Sequence, residues 1–379
     1  MTGRSGMDLL VRDKLARSAI PGLSVAVVGG NGRVVERAFG WADLEQHIPM
    51  TPATLQCCAS VSKVITTVAV LRAWEMGAAC LDTPIDVYLD RVIRHPMHPE
   101  APITLRMLLS HAAGLADNMS VLRSLYVDGD SSLALGEFMD GYLRPGGAWY
   151  DPDANFASAA PGQVFRYCSV GLALAAHVVE KACATPFDAL CRKEIFEPLS
   201  MTSTAWHLRD LDPDRLATPY RARRSGSVHP IAQYGYPDYP DGQLRSTAGD
   251  LARFVAMCME GGAFDGVRIL RRETIECMLQ PPFPLLCADQ GLGWQRWSRS
   301  GATVWGHDGI DWGASARACF EPQARVAFVA LANAAWPVDD TGRPGSLDEL
   351  QAMIQAEFLG FERPDADAES QARQGGGPL

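Results

Sequence analysis

The chain has 379 residues, 47% of them hydrophobic, enough for a substantial core and for either two domains or one large interleaved one. A formal net charge of −10 argues against a surface for nucleic acid or anionic membrane, so neither is expected as a partner. The ten cysteines have no paired metal-type spacing, and no apolar run reaches signal-peptide or membrane-spanning length. They read as reduced, mostly buried thiols, and the expected compartment is the cytoplasm.

Met7 to Ser18 reads as an amphipathic helix, with Leu9, Leu10, Val11 and Leu15 on or near one face. Leu23 to Val28, a Gly29-Gly30-Asn31-Gly32 turn and Arg33 to Phe39 predict a β-hairpin. A strand-like stretch then gives way to a long apolar helix from Ser60 to about Met76, with Gly77 as its stop. From there to about residue 240 strand signals are sparse. Helical periodicity recurs near 104–111, 132–143, 169–183 and 186–195, between Pro/Gly punctuation. Strand character returns at 302–306, 314–320 and 325–332. Ser346 with Glu349 makes a capping box for a last helix reaching Phe358, and the composition beyond Phe361 predicts disorder. The layout is a helical block between two halves of a sheet-and-helix layer, not alternating βα units. A discontinuous domain is expected from 1–50 and 241–362, a mainly helical one from 51–240, and a disordered tail from 363–379.

Three stations along this layout carry chemistry. In Ser60-Val61-Ser62-Lys63 a helix brings residues three apart onto one face, so Lys63 reaches the Ser60 hydroxyl at the helix N-terminus. Partial positive charge there suits an oxyanion and favours proton loss from the lysine. A serine becomes a good nucleophile only when a base takes its proton, and this spacing supplies one. The second station, Tyr167-Cys168-Ser169, opens a helix at Val170. A tyrosine at such a junction can reach into a cleft and move protons, or be an ordinary buried tyrosine at a helix start. The third is His307-Asp308-Gly309, at the end of the strand Ala302–Gly306. Its glycine allows close backbone approach, and the next N–H, that of Ile310, can point at an oxyanion. His307 alone fits a structural or surface histidine better, and Asp308 either orients it or is a turn residue.

In this order and spacing the stations resemble the serine β-lactamase and penicillin-binding-protein superfamily, nearest its class C-like branch of esterases, D-amino-acid peptidases and acyltransferases. Ile20–Val27, Thr104–Leu115, Glu197–Met201, Gly242–Leu251 and Gly291–Trp294 extend the resemblance over almost the whole chain. The resemblance implies an α/β plus α fold: an antiparallel sheet flanked by helices, with a large inserted all-helical domain. It makes Ser60 the acylated nucleophile, Lys63 its activating partner and Tyr167, first residue of a Tyr-x-Asn-like motif, the proton shuttle. The backbone N–H groups of Ser60 and Ile310 become the oxyanion hole. His111 reads as structural. No cofactor is implied, and no metal: His95-Pro96-Met97-His98 lacks a third ligand. A Gly-x-Ser-x-Gly elbow is absent.

Two departures narrow the substrate. Ser169 stands where the family has asparagine, replacing an amide by one hydroxyl. His307-Asp308-Gly309 stands for Lys-Thr-Gly, removing a permanent cation and adding a potential anion. Such a change costs a carboxylate substrate about ten- to a hundredfold in affinity. Neutral esters or amides, or amine-bearing substrates, are favoured. Tyr236 and Asp238, in the stretch 234–241, form either a wall for a cationic or sugar-like group or a Pro-stiffened surface loop. Trp312 covers the acyl group or packs under the last strands. Residues 117–155 read as solvent-facing helix and loop or as a lid, and Cys168 as packing. The expected activity is acyl transfer from a small-molecule ester or amide through Ser60 to water, an amine or an alcohol. The product is an esterase or a transacylase, the latter known in this branch from antibiotic assembly. The rivals are a β-lactamase or D-amino-acid peptidase, and a catalytically silent sensor or scaffold. Nothing in the sequence indicates the oligomeric state.

Overall fold

The computed structural model describes residues 11, 13, 15, 20–222, 227–299 and 301–335. The chain divides into two units, Ala19–Trp336 and a second made of Met1–Ser18 with Pro337–Leu379. Of the helix expected over 7–18 only Val11, Asp13 and Leu15 are described, all helical. The helix expected to Phe358 and the tail from 363 lie outside the described residues.

The first unit is built on a seven-stranded antiparallel sheet. Its strands are β1 (Gly22–Val28), β2 (Val34–Asp43), β3 (Ile48–Pro49), β4 (Gln295–Arg299), β5 (Ala302–Asp311), β6 (Ala314–Glu321) and β7 (Val326–Ala332). The spatial order is β4-β5-β6-β7-β1-β2-β3. The two halves of the sequence meet where β1 pairs with β7, from Leu23 opposite Ala332 to Val28 opposite Ala327. Both strands are central and buried throughout, hence their unbroken runs of small and β-branched apolar residues. The expected hairpin is present; its turn closes with Gly32 N–H donating to Gly29 O at 2.9 Å, and Gly32 has φ +77°.

Between β3 and β4 run the helices that carry the site. Helix α1 (Ser62–Glu75) is apolar on every side because it is buried on every side, with only Arg72, Trp74 and Glu75 reaching partial exposure. It packs against α2 (Ser169–Ala182), while α3 (Ala248–Met259) covers β1, β6 and β7. One hydrophobic core joins the inner face of the sheet (Ala26, Ala316, Ala318, Val329) to α1, α2 and α3. The expected limits at 51 and 240 therefore mark no break in packing. Nor is that stretch all helical: Val127–Asp128 pairs with Tyr234–Gly235, and Tyr220–Ala222 with Val228–Pro230.

One strand expectation needs correction, and one strand was not expected. β5 does not stop at Gly306 but continues to Asp311, paired with β6 all the way. His-Asp-Gly-Ile-Asp has weak strand propensity, and the neighbouring strand imposes the conformation. β4, Gln-Arg-Trp-Ser-Arg, is a polar edge strand and carries no apolar alternation to announce it.

Candidate active site

Ser60 lies in a 3₁₀ turn, Ala59–Val61, immediately before α1. The chain reaches it under tight control. Gln56 and Cys57 pair with Ser246 and Arg245, and Cys58 N–H donates to Leu244 O at 2.8 Å. Ala59 then adopts φ +45°, a left-handed conformation costing a non-glycine residue about 1–2 kcal/mol, which these anchored flanks maintain. Of the two serines, Ser62 is part of the scaffold, its buried Oγ accepting from Leu244 N–H at 3.1 Å. Ser60 instead meets the lysine: Lys63 Nζ donates to Ser60 Oγ at 3.0 Å and to Asp241 O at 2.8 Å.

Tyr167 completes the group, with Lys63 Nζ 5.3 Å from its ring centroid. The tyrosine stays accessible, 37% exposed, while Lys63 beneath it is 1% exposed. Two features fix it. Its ring lies against His111 at 4.4 Å between centroids, and the next residues start α2 with an N-terminus capped from afar. Asp117 accepts from Ser169 N–H at 2.8 Å and from Val170 N–H at 3.1 Å, taking two of the unsatisfied helix donors. Ser169 is thus the first helical residue, half-buried beside Tyr167.

Strand β5 forms the opposite wall. Side chains alternate along a strand, so His307, Gly309 and Asp311 face the serine while Asp308 and Ile310 point away. A Cβ at Gly309 would stand 2.7 Å from Cys58 O and 2.9 Å from Ser60 N, so only glycine allows the strand to lie against the nucleophile turn. β4 pairs with β5 only as far as Gly306, which leaves 307–311 unpaired on the side where this turn lies. His307 is 3% exposed, its ring 6.0 Å from that of Tyr167. Asp308 departs from expectation. Its carboxylate is held by Arg317 of β6 in a two-pronged ion pair of 2.6 and 2.7 Å, on the face away from Ser60. The carboxylate therefore neither orients His307 nor adds an anion to the cleft; only the Asp308 backbone carbonyl meets the His307 ring, at Nδ1.

The aromatic stretch also differs in detail. Tyr236 is 6% exposed and its hydroxyl donates to Asp311 at 3.3 Å. Asp238 is buried at 4% exposure, its carboxyl interacting with that of Asp241 and close to Lys63. It lies under the site and is no exposed wall. Trp312 stacks on Tyr126 at 4.3 Å. Cys168 is buried, its Sγ donating to Asp117 at 3.2 Å, which accords with packing.

These placements set the charges. Burial acts to lower the Lys63 pKa, but Tyr167, Asp241 and Asp117 outweigh it and the ammonium is favoured above its ordinary value. Proton loss driven by the helix terminus, as expected from sequence, is overridden by these nearby groups. His307 goes the other way: burial and the Lys63 cation lower it to about 4, so it is neutral near pH 7. Its Nδ1 lies 2.7 Å from Asp308 O, a carbonyl that can only accept, so Nδ1 carries the proton and Nε2 is left as an acceptor. His111 is lowered to about 3 by burial, Lys63 and His307. Its Nδ1 accepts from Cys168 N–H at 3.2 Å. Burial raises both Asp238 and Asp241, and the neighbouring Asp238 charge pushes Asp241 up further.

Sequence reading did not single out Asp117, Tyr126 or Asp311, and took Asp241 only as one of the two acids of the stretch 234–241. Only Asp311 had a usable signal, because period-two alternation continued from His307 and Gly309 reaches it. Among the described residues no group of His, Cys, Asp and Glu is arranged to hold a metal ion, and no helix is long and apolar enough to cross a membrane.

Residues 7–352 match the family described as Beta-lactamase. Penicillin-binding protein 4 of Amycolatopsis lactamdurans is 25% identical over 324 residues, 83% of this chain and 81% of that protein. Esterase EstB of Burkholderia gladioli is 32% identical over 218 residues, 55% of this chain and 52% of the esterase. The D-amino acid amidase of Ochrobactrum anthropi SV3, solved with L-phenylalanine amide, has the same fold, with a TM-score of 0.75 at 20% identity over 93% of this chain and 98% of that one. The chain belongs to the beta-lactamase family, and its relatives in sequence include a penicillin-binding protein and an esterase.

Proposed function

We propose that this protein is an acyl-serine enzyme that takes an acyl group from a small ester or amide onto Ser60 and passes it to water, an amine or an alcohol. The observation that carries this reading is the 3.0 Å contact of Lys63 Nζ with Ser60 Oγ beneath the accessible Tyr167 ring. In acylation Ser60 Oγ attacks the carbonyl carbon as its proton passes to Tyr167, which acts as a phenolate beside the Lys63 ammonium. The carbonyl oxygen becomes an oxyanion, held by the N–H groups of Ser60 and Ile310. Collapse breaks the bond to the leaving group, which receives the proton from Tyr167. Deacylation repeats these steps with the acceptor in place of the leaving group and frees Ser60.

His307 narrows the donor. A neutral, buried imidazole stands where a carboxylate-binding cation would be needed, which supports neutral or amine-bearing substrates over β-lactams and peptide carboxyl termini. An open, accessible tyrosine beside the serine suits an amine or alcohol acceptor as well as water, and we favour transfer in small-molecule biosynthesis.

The test is intact mass spectrometry after mixing with a neutral 4-nitrophenyl ester, in the presence and absence of primary amines. An adduct of acyl mass, absent in Ser60→Ala, with amide product formed when amine is present, is the expected result. Rapid turnover of a chromogenic cephalosporin with inert esters would reverse the substrate ranking. No adduct with any electrophile would mark a silent module.

A further inference from the structure

We infer that Asp311, framed by Tyr126, Tyr236 and Trp312, recognises a positively charged ammonium group on the acyl part of the substrate, an assignment that rests on Ser60 being the acyl-accepting nucleophile. The position along β5 comes first. Asp311 shares the serine-facing side of the strand with His307 and Gly309. Tyr167, which serves the leaving group and the acceptor, lies at the His307 end. Four residues at about 3.3 Å each put Asp311 roughly 13 Å further along, past the oxyanion position. The leaving group points towards His307, so the acyl part points towards Asp311.

The chemistry of this end is specific. Asp311 Oδ1 accepts from Tyr126 Oη at 2.9 Å and from Trp312 N–H at 2.8 Å, and Oδ2 from Tyr236 Oη at 3.3 Å. These donors hold a carboxylate in one orientation. Among the described residues no Lys or Arg forms an ion pair with it, so its charge is not matched by the protein. A partly buried anion without a cation is costly, and a cationic ligand relieves that cost. The surrounding rings suit the same ligand. Tyr126 lies between Trp312 at 4.3 Å and Tyr236 at 4.7 Å, and both Tyr126 and Trp312 are half-buried. Aromatic faces attract cations, and the Arg221 guanidinium already sits 4.8 Å over the Trp312 ring. Tyr236 links this frame to the nucleophile turn: its hydroxyl occupies the space a Cβ on Gly242 would take, and Gly242 O is 3.5 Å from Cys57 Sγ.

The probes are the 4-nitrophenyl esters of 4-(trimethylammonio)butanoate and of 5,5-dimethylhexanoate, the same shape with and without the charge. For the wild-type protein the ratio of kcat/KM values is expected to favour the cationic ester by about tenfold or more, the usual effect of one charged contact. Asp311→Asn is expected to collapse the ratio to near one. Tyr126→Phe, which removes one hydroxyl from the frame, is expected to lower it a few-fold and serves if the first variant does not fold. A wild-type ratio of one or less, or a folded Asp311→Asn that keeps the preference, overturns the inference while leaving the acyl-serine reading in place. If neither ester leaves an acyl group on Ser60, that reading itself has failed and the inference falls with it.

Discussion

Lys63 is the residue on which the chemistry turns, because it is buried, cationic and in contact with both Ser60 Oγ and Asp241 O. Lys63→Ala removes the charge beside the Ser60 proton and leaves the Asp241 carbonyl without its donor. Acylation is expected to fall by about 10²–10⁴-fold, the usual contribution of a positioned acid or base. The lost hydrogen bond costs about 1–3 kcal/mol of stability. Stopped-flow release of 4-nitrophenol, with a urea melt alongside, separates the two effects; a normal burst would show that Lys63 takes no part in acylation. His307 invites the opposite change. His307→Lys places a second cation across the cleft from Lys63, and kcat/KM for a carboxylate-bearing ester is expected to rise about tenfold relative to its neutral analogue. An unchanged preference would show that this side chain does not meet the substrate.

At the scale of elements, the site depends on how a helix start, a turn and a strand are held together. The N-terminus of α2 has no cap of its own, since Cys168 in the N-cap position makes no capping bond with its side chain, and Asp117 supplies one from 52 residues away. Asp117→Ala is expected to cost about 1–2 kcal/mol, the usual loss of an N-cap, and to slow acylation as Tyr167 loses its position. Urea unfolding and single-turnover rates check this together. A loss of stability without slower acylation would mean that the His111 stack alone positions the tyrosine. Gly309 plays the matching part on β5: with the contacts a Cβ would make there, Gly309→Ala is expected to push the Ser60 turn from the strand and to depress acylation more than stability.

For the molecule as a whole, the buried titratable groups make stability depend on pH in two opposing ways. His111 has an ordinary pKa of 6.5 and is lowered to about 3 in the fold, so below pH 6.5 the unfolded chain takes the proton first. Its contribution to stability is lost as pH falls from about 6.5 towards 3. Asp241 and Asp311 are raised by burial, so the folded state takes their protons first and gains stability over the upper part of the same fall. His111→Gln keeps an acceptor for Cys168 N–H and removes only the first effect. The drop in Tm between pH 7 and pH 4.5 is expected to be smaller in the variant than in the wild type. An equal drop would show that His111 is not held neutral.

What could be read from the chain alone was local in origin. The hairpin is legible because a glycine-rich turn separates two apolar runs, and α1 because it is continuously apolar and stops at Gly77. Ser60 and Lys63 are three apart, so helical geometry alone brings them together. The ordered motifs, through their family resemblance, brought in Tyr167 and the strand from His307. Other features needed the folded chain. Asp308 turned to Arg317 because strand register, set by the pairing of β5 with β6, chose the face on which it points. Lys63 is held as a cation by Tyr167 together with Asp241 and Asp117, the two acids lying 178 and 54 residues from it with no local pattern that signals the meeting. Asp311 meets Tyr126 across 185 residues. Short-range spacing determines which residues can cooperate within one helix or strand, whereas charge and specificity arise from desolvation and long-range contacts that exist only after the chain has packed.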